Sequence, residues 1–146
     1  MLEPVTWVNI KLLDPFAEIP VYATHGDGGM DIVATSMLDD KIDSVTYGTG
    51  IAMEIPYGYV GFVYPRSSIR GKELVLANSV AVIDHGYRGE LMFTFKKTNG
   101  YESKKYEVGN KIVQIIIQQR PTIVFRQVDE LSHSERGTGG FGSTGK

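Results

Sequence analysis

The chain contains no cysteine. That removes disulfides, thiolate nucleophiles and cysteine-based zinc sites together. Charge of either sign is also missing in bulk: 15 Lys plus Arg against 17 Asp plus Glu leave a net charge of −2 with histidine neutral. This excludes a nucleic-acid binder that relies on overall positive charge. No apolar run approaches the roughly 20 residues of a membrane span. The opening Met1-Leu2-Glu3-Pro4 lacks the basic-then-apolar order of a signal peptide. Helical periodicity is almost absent, and His25, His85 and His133 have no metal-ligand spacing. These absences predict a soluble intracellular protein with neither membrane nor nucleic acid as partner. Any anionic ligand must be held by local charge.

What is present is a 146-residue chain, the length of one domain, with 42% apolar and 22% charged residues. That composition buries a core without covalent staples. Short alternating or apolar runs at 5–13, 31–35, 49–55, 59–64, 73–77, 90–97, 101–108, 111–118 and 122–128 read as strands. Ile51, Met53 and Ile55 share one strand face, as do Leu91, Phe93 and Phe95. Asn99-Gly100 signals a tight hairpin, because both residues tolerate positive φ. Only residues 66–72 suit a short helical turn, which Gly71 would end. The prediction is an all-β single domain, a sandwich, barrel or jelly roll, with at most one short helix. Residues 1–135 form the domain. Residues 136–146, with five glycines between Gly137 and Gly145, form a flexible tail.

Five segments carry candidate chemistry. In the tail, glycine amides with Ser143 and Thr144 can wrap an anion, Arg136 can pair with it, and Phe141 can cover a flat ring. The same composition also suits a plain tether. A P-loop is excluded, since no Ser/Thr or helix follows Lys146. Pro65-Arg66-Ser67-Ser68 is either a strand end with a serine helix cap or a compact phosphate grip. Residues 78–90 read as a hairpin turning near 84–86, where Asp84 either makes the turn or orders and deprotonates a water. Gln114, polar inside an apolar strand, needs hydrogen-bond partners. Asp31, four residues beyond Asp27, opens another strand, and as a direct metal pair these two are a weak signal.

In this order Gly29-Met30-Asp31-Ile32, Pro65-Arg66-Ser67-Ser68 and residues 78–90, 109–114 and 136–145 resemble the five motifs of the trimeric dUTPases. The resemblance runs from about Asp27 to the C-terminus. Two residues depart from it: Ala81 stands where the family usually has glycine, and Asn110 where an acidic residue is common. The resemblance implies a dUTPase-like jelly-roll (β-clip) homotrimer with active sites shared between subunits. Such an enzyme cleaves dUTP to dUMP and pyrophosphate with Mg2+, by water attack on the α-phosphorus. It keeps uracil out of DNA and supplies dUMP for dTMP synthesis, in the cytoplasm of a cell or of a virus's host.

Carried over residue by residue, Asp84 orders the water and touches the 3′-hydroxyl. Asn78, Val82, Ile83 and Met92 read uracil, and Tyr87 packs under deoxyribose, leaving no room for a 2′-hydroxyl. Arg66, Ser67, Ser68 and Gln114 serve the phosphates and the water. Asp31 holds magnesium through water. Arg136, Gly142, Ser143 and Thr144 take the γ-phosphate while Phe141 lies on the base. A triphosphate carries about four negative charges, and each opposite charge at 4 Å contributes on the order of 4 kcal/mol before desolvation. Two arginines and one magnesium therefore overcome a protein charge of −2. Two rivals remain. A dCTP deaminase would need a glutamate after the hairpin, where this chain has Leu91-Met92-Phe93-Thr94-Phe95. An inactive jelly-roll binding or regulatory protein would have no need of Asp84 and a complete tail. No residue identifies a regulatory partner.

Overall fold

The computed structural model describes residues 4–142 and residue 145. Ten strands follow one another: β1 (Asn9–Leu12), β2 (Met30–Val33), β3 (Ser36–Asp40), β4 (Ser44–Gly48), β5 (Ile51–Glu54), β6 (Tyr59–Pro65), β7 (Leu74–Leu76), β8 (Ala81–Ile83), β9 (Met92–Lys97) and β10 (Lys111–Gln119). Two four-stranded antiparallel sheets, ordered β2-β10-β6-β8 and β3-β4-β9-β7, are joined by the small ribbon β1-β5. The core lies between them. Ile32, Val63, Ile83 and Ile115 of the first sheet meet Val45, Tyr47, Leu76, Phe93 and Phe95 of the second. The alternation read in 91–95 holds, with Leu91, Phe93 and Phe95 buried and Met92 exposed between them. In β5 the neighbouring Ala52 is buried too, because this strand is covered on both faces.

The all-β expectation holds, and the fold is a jelly roll. Several details differ from the sequence reading. There are two short 3-10 segments, Ser67–Gly71 and Gly100–Glu102, rather than one helix. The second takes the place of the tight Asn99-Gly100 hairpin. The cap position of the first is Arg66, with no side-chain cap bond, so serine is not its cap. Residues 101–108 form no ladder. After the 3-10 turn, Glu73 holds Lys104 at both backbone positions instead (Glu73 N–H to the Lys104 carbonyl at 2.8 Å, Lys104 N–H to Glu73 Oε2 at 2.8 Å). Tyr106 is also buried there, with Tyr47 Oη donating to its carbonyl at 2.8 Å. Residues 122–128 form no strand in this chain either. The polar strands β3 and β4 were not anticipated.

The segment 78–90 is not a paired hairpin. β8 pairs only with β6, whereas β9 pairs with β4 and β7. The turn at 84–87, closed by Tyr87 N–H on the Asp84 carbonyl (3.1 Å), therefore carries the chain from one sheet to the other. β8 is left at a sheet edge, with backbone groups that no neighbouring strand takes up.

Candidate functional site

Six residues singled out in the sequence, Asn78, Val82, Ile83, Asp84, Tyr87 and Met92, line one cleft of about 200 Å3. It lies where β8 leaves the first sheet and β9 enters the second. The turn between them is fastened from below: Arg88 Nη1 donates to the carbonyls of His85 (2.6 Å) and Tyr87 (3.1 Å), and Arg88 Nε pairs with Glu54 (3.5 Å). His85 lays its ring edge-on to Tyr57, 5.5 Å away, and is not part of a dyad with Asp84. The Asp84 side chain is exposed and has no hydrogen bond or ion pair among the described residues. A carboxylate held at a rigid turn with free lone pairs is suited to binding a water or a hydroxyl.

Tyr87 is fixed more tightly. Its phenol donates to the Glu90 carbonyl at 2.9 Å, and the ring lies on Gly89, where an added Cβ would be 2.5 Å from the phenol oxygen. Glu90 lines the same cleft and was missed from the sequence, where it reads as the first residue of a strand. The Ala81 methyl belongs to the core cluster, opposite Val63 of β6. Ala81 also lines the cleft, beside Val82 and Ile83.

A second group of predicted residues collects at the end of β6. Arg66 donates through Nε to Asp31 Oδ1 (2.5 Å) and through Nη2 to Oδ2 (3.3 Å). Its Nη1 reaches Ser68 Oγ (3.3 Å) and the Lys111 carbonyl (3.4 Å). Lys111 Nζ stands 3.5 Å from the same Asp31 carboxylate. Ser68 Oγ also bonds Tyr106 Oη at 2.9 Å, and Ser67 beside it is exposed. Gln114, opposite Asp31 on β2 and Tyr64 on β6, finds its partner in the Pro65 carbonyl, to which Nε2 donates at 2.9 Å.

The ladder keeps these two groups apart within one chain. Gly61 faces Ile83 and Val63 faces Ala81, so Asp84 lies level with the start of β6 while Arg66 follows its far end. Six residues of strand separate them, roughly 20 Å.

The described part of the tail makes no hydrogen bond to either group. Arg136 Nε donates to the Gly139 carbonyl at 3.0 Å, inside the tail itself. Phe141 is fully exposed, with φ +54°, and Gly142 beside it is exposed too. Ser143 and Thr144 lie outside the described residues. For a metal ion, the donors of one chain are few. Asp31 is already paired with two cations, and the Asp27 carboxylate is taken by the backbone N–H (2.8 Å) and hydroxyl (2.5 Å) of Thr24, which also lower its pKa. No three His, Cys, Asp or Glu side chains gather around a common point among the described residues. They do not fit a metal ion held by protein ligands alone. A larger cavity of about 610 Å3, lined by Trp7, Ile10, Met30, Met53, Tyr59 and Ile115 among others, is mainly apolar and has no carboxylate, histidine or cationic side chain in its lining.

Comparison with known proteins agrees with the motif order. A family model described as dUTPase matches residues 16–145. The deoxyuridine 5′-triphosphate nucleotidohydrolase of Thermobifida fusca is 41% identical over 140 residues, covering 94% of this chain and 78% of that protein. The dUTPase of Staphylococcus bacteriophage 80alpha, solved with dUPNHPP, superposes with a TM-score of 0.82 at 29% identity, covering 97% of this chain and all of the other. A mutant dUTPase of phage phi11 of S. aureus, solved to reveal the coordination of a structural Mg(II) ion, superposes with a TM-score of 0.69 at 25% identity over 86% of this chain and 98% of that one. Among the described residues no helix is long and apolar enough to cross a membrane.

Proposed function

The chain belongs to the dUTPase family and is a dUTP diphosphatase, and we propose that its Asp84 orders the water that splits dUTP into dUMP and pyrophosphate. The observation that carries this assignment is the cleft itself. An unpartnered carboxylate, an aromatic ring fixed by its phenol, and the free edge of β8 open onto one small space. The backbone groups of Val82 and Ile83, with Asn78 and Met92, read the uracil edge. Tyr87 lies under the deoxyribose. Asp84 takes a proton from the water, which then attacks the α-phosphorus; the bond from the α-phosphorus to the α,β-bridging oxygen breaks, and pyrophosphate leaves.

Arg66, Ser67, Ser68 and Gln114 serve the phosphates of a neighbouring subunit's nucleotide. The reason is the roughly 20 Å of ladder between Arg66 and Asp84 in one chain, longer than an α-phosphate contact allows. A shared site follows, in a homotrimer. A second feature favours assembly. The 122–128 arm carries Val124 and Phe125 at 87% and 94% exposure, and an apolar cavity lies beside the N-terminal segment. Exposed side chains of this kind call for a cover. Magnesium is consistent with the family and travels as part of the nucleotide complex, where it neutralises phosphate charge. Asp31 is the carboxylate beside the phosphate residues that would hold such an ion through water. Arg136, Gly142, Ser143 and Thr144 close on the γ-phosphate, with Phe141 over the base. The enzyme works in the cytoplasm, where it keeps uracil out of DNA and supplies dUMP.

The test is pyrophosphate release from dUTP, dCTP, dTTP and UTP with Mg2+ in excess. A site whose polar groups fit one base and one sugar should discriminate by about 10⁴. Comparable kcat/KM for dUTP and dCTP would refute the reading and return the deaminase-related alternative to consideration. Binding of dUTP without any turnover would favour an inactive regulatory protein.

A further inference from the structure

Glu90 is one residue of the cleft to which neither the motifs nor the proposed chemistry gives a task, yet it makes the most connected set of bonds there. Its Oε1 accepts the backbone N–H of Thr49 (3.1 Å) and of Gly50 (2.9 Å), across the β4–β5 turn. Gly50 turns with φ +66°, a backbone that L side chains rarely adopt. Gly48 leaves the space the carboxylate fills, for a Cβ there would stand 2.8 Å from Glu90 Oε1. Two further bonds tie the same stretch to the same turn: Thr49 Oγ1 to the Leu91 carbonyl (2.6 Å) and Leu91 N–H to the Ile51 carbonyl (2.9 Å). The backbone carbonyl of Glu90, so anchored, is the acceptor that holds the Tyr87 phenol at 2.9 Å.

We propose that Glu90 is a positioning residue that sets the discrimination between deoxyribose and ribose by fixing the height of the Tyr87 ring. The inference rests on the reading of Tyr87 as the floor under the sugar. A 2′-hydroxyl is a small group, and a floor excludes it only if the floor cannot sink. The chain of restraint runs from the Thr49 and Gly50 amides, through the Glu90 carboxylate and its own carbonyl, to the phenol. A charged acceptor on two N–H donors is stronger than a neutral one. Loss of the carboxylate leaves the two amides without their acceptor and frees the 87–90 backbone to shift. A displacement of even 1 Å at a site of this kind changes rates by as much as about 10²-fold.

The experiment measures kcat and KM for dUTP and UTP, by pyrophosphate release, on the full-length oligomer. Wild-type protein is compared with Glu90→Ala, Glu90→Gln and Glu90→Asp. Glu90→Ala should lower the dUTP-to-UTP ratio of kcat/KM at least about tenfold, with kcat/KM for UTP losing less than that for dUTP or rising. Glu90→Gln keeps an acceptor at the same reach and should restore the ratio to within about threefold of wild type. Glu90→Asp, one methylene short, should behave like the alanine variant, and it decides the matter against Glu90→Gln if the alanine variant does not fold. A purely structural cap would lower the melting temperature and leave the ratio alone, so variants that lose stability with an unchanged ratio overturn the inference. Equal losses in Glu90→Gln and Glu90→Ala overturn it as well. Wild-type protein that treats dUTP and UTP alike would instead overturn the sugar-floor reading, and this inference with it.

Discussion

At the 84–87 turn the backbone and the Tyr87 ring, proposed to face the nucleoside, are bonded into place within one chain, whereas at the 66–68 turn the arginine proposed to face phosphate is bonded to the chain's own Asp31. The first region has Tyr87 on Glu90, Arg88 on two carbonyls, and Glu90 on two amides. The second has an ion pair whose partners are only partly buried, with side-chain exposures of 28% for Arg66 and 18% for Asp31. The contrast teaches where the molecule holds its selectivity and where it waits for substrate. A base and a sugar are told apart by small groups, so the surface that reads them must be rigid before binding. A triphosphate brings charge enough to reorganise its own cradle, and an arginine parked on a carboxylate avoids the repulsion that an empty cluster of cations would carry.

The largest effect expected from breaking this division is at Asp84. Asp84→Asn keeps the shape of the turn and removes the proposed base. Turnover should fall by roughly 10²–10⁴, while a non-hydrolysable dUTP analogue still binds, measured calorimetrically. Near-normal turnover would reduce Asp84 to a turn residue and leave the rigid end without chemistry.

A smaller loss should follow from disturbing the floor alone. In Gly89→Ala the new methyl would stand 2.5 Å from the Tyr87 phenol oxygen and 2.7 Å from Cζ, so the ring must move. KM for dUTP should rise by about tenfold or more, with kcat changing less. If thermal unfolding shows a folded protein and KM is unaltered, the nucleoside end is not prearranged and the contrast fails.

Assembly is tested by complementation. One protein carries Asp84→Asn with an intact tail; the other keeps Asp84 and ends at Glu135. Each alone should be nearly inactive. In co-refolded trimers mixed at equal ratio, about a quarter of the sites pair a good Asp84 with a neighbour's good tail. Recovery of about that fraction of wild-type activity supports the shared site. Mixed trimers, verified by distinct tags, that stay inactive contradict it.

Much of this was legible beforehand for a physical reason. Six cleft residues fall within fifteen positions of one another, so proximity in sequence stood in for proximity in space. The Arg66–Asp31 pair was not legible, because a cation and an anion 35 residues apart each carry a separate expected role and nothing in the spacing says they meet. Glu90 was hidden by its place at the head of an apolar strand. Its task depends on the amides of Thr49 and Gly50, which no side-chain pattern advertises. Strands β3 and β4 were missed since Asp39, Asp40, Ser44 and Thr46 read as loop. Their Asp40 is held by Lys97 and Lys105, and Thr46 bonds Thr94 across the ladder at 2.8 Å. The opposite error came at 101–108 and 122–128, where alternation read as strands and the chain forms none.

The smallest expected effect is a change of signal rather than of rate. Phe141 is fully exposed in the free chain, so Phe141→Trp places an indole in water until the tail closes. Trp7 is the only other tryptophan, and it stays as a constant background. Closure must offset the ordering entropy of a glycine-rich segment, about 1–2 kcal/mol per residue fixed, and only a ligand with a γ-phosphate gives Arg136 and its neighbours enough to hold. A triphosphate analogue should therefore quench or shift the added emission, and dUMP should do so much less. Equal responses to the two would mean that the base alone draws the tail down. The phosphate end would then be no more substrate-dependent than the nucleoside end, and the difference between the two regions would vanish.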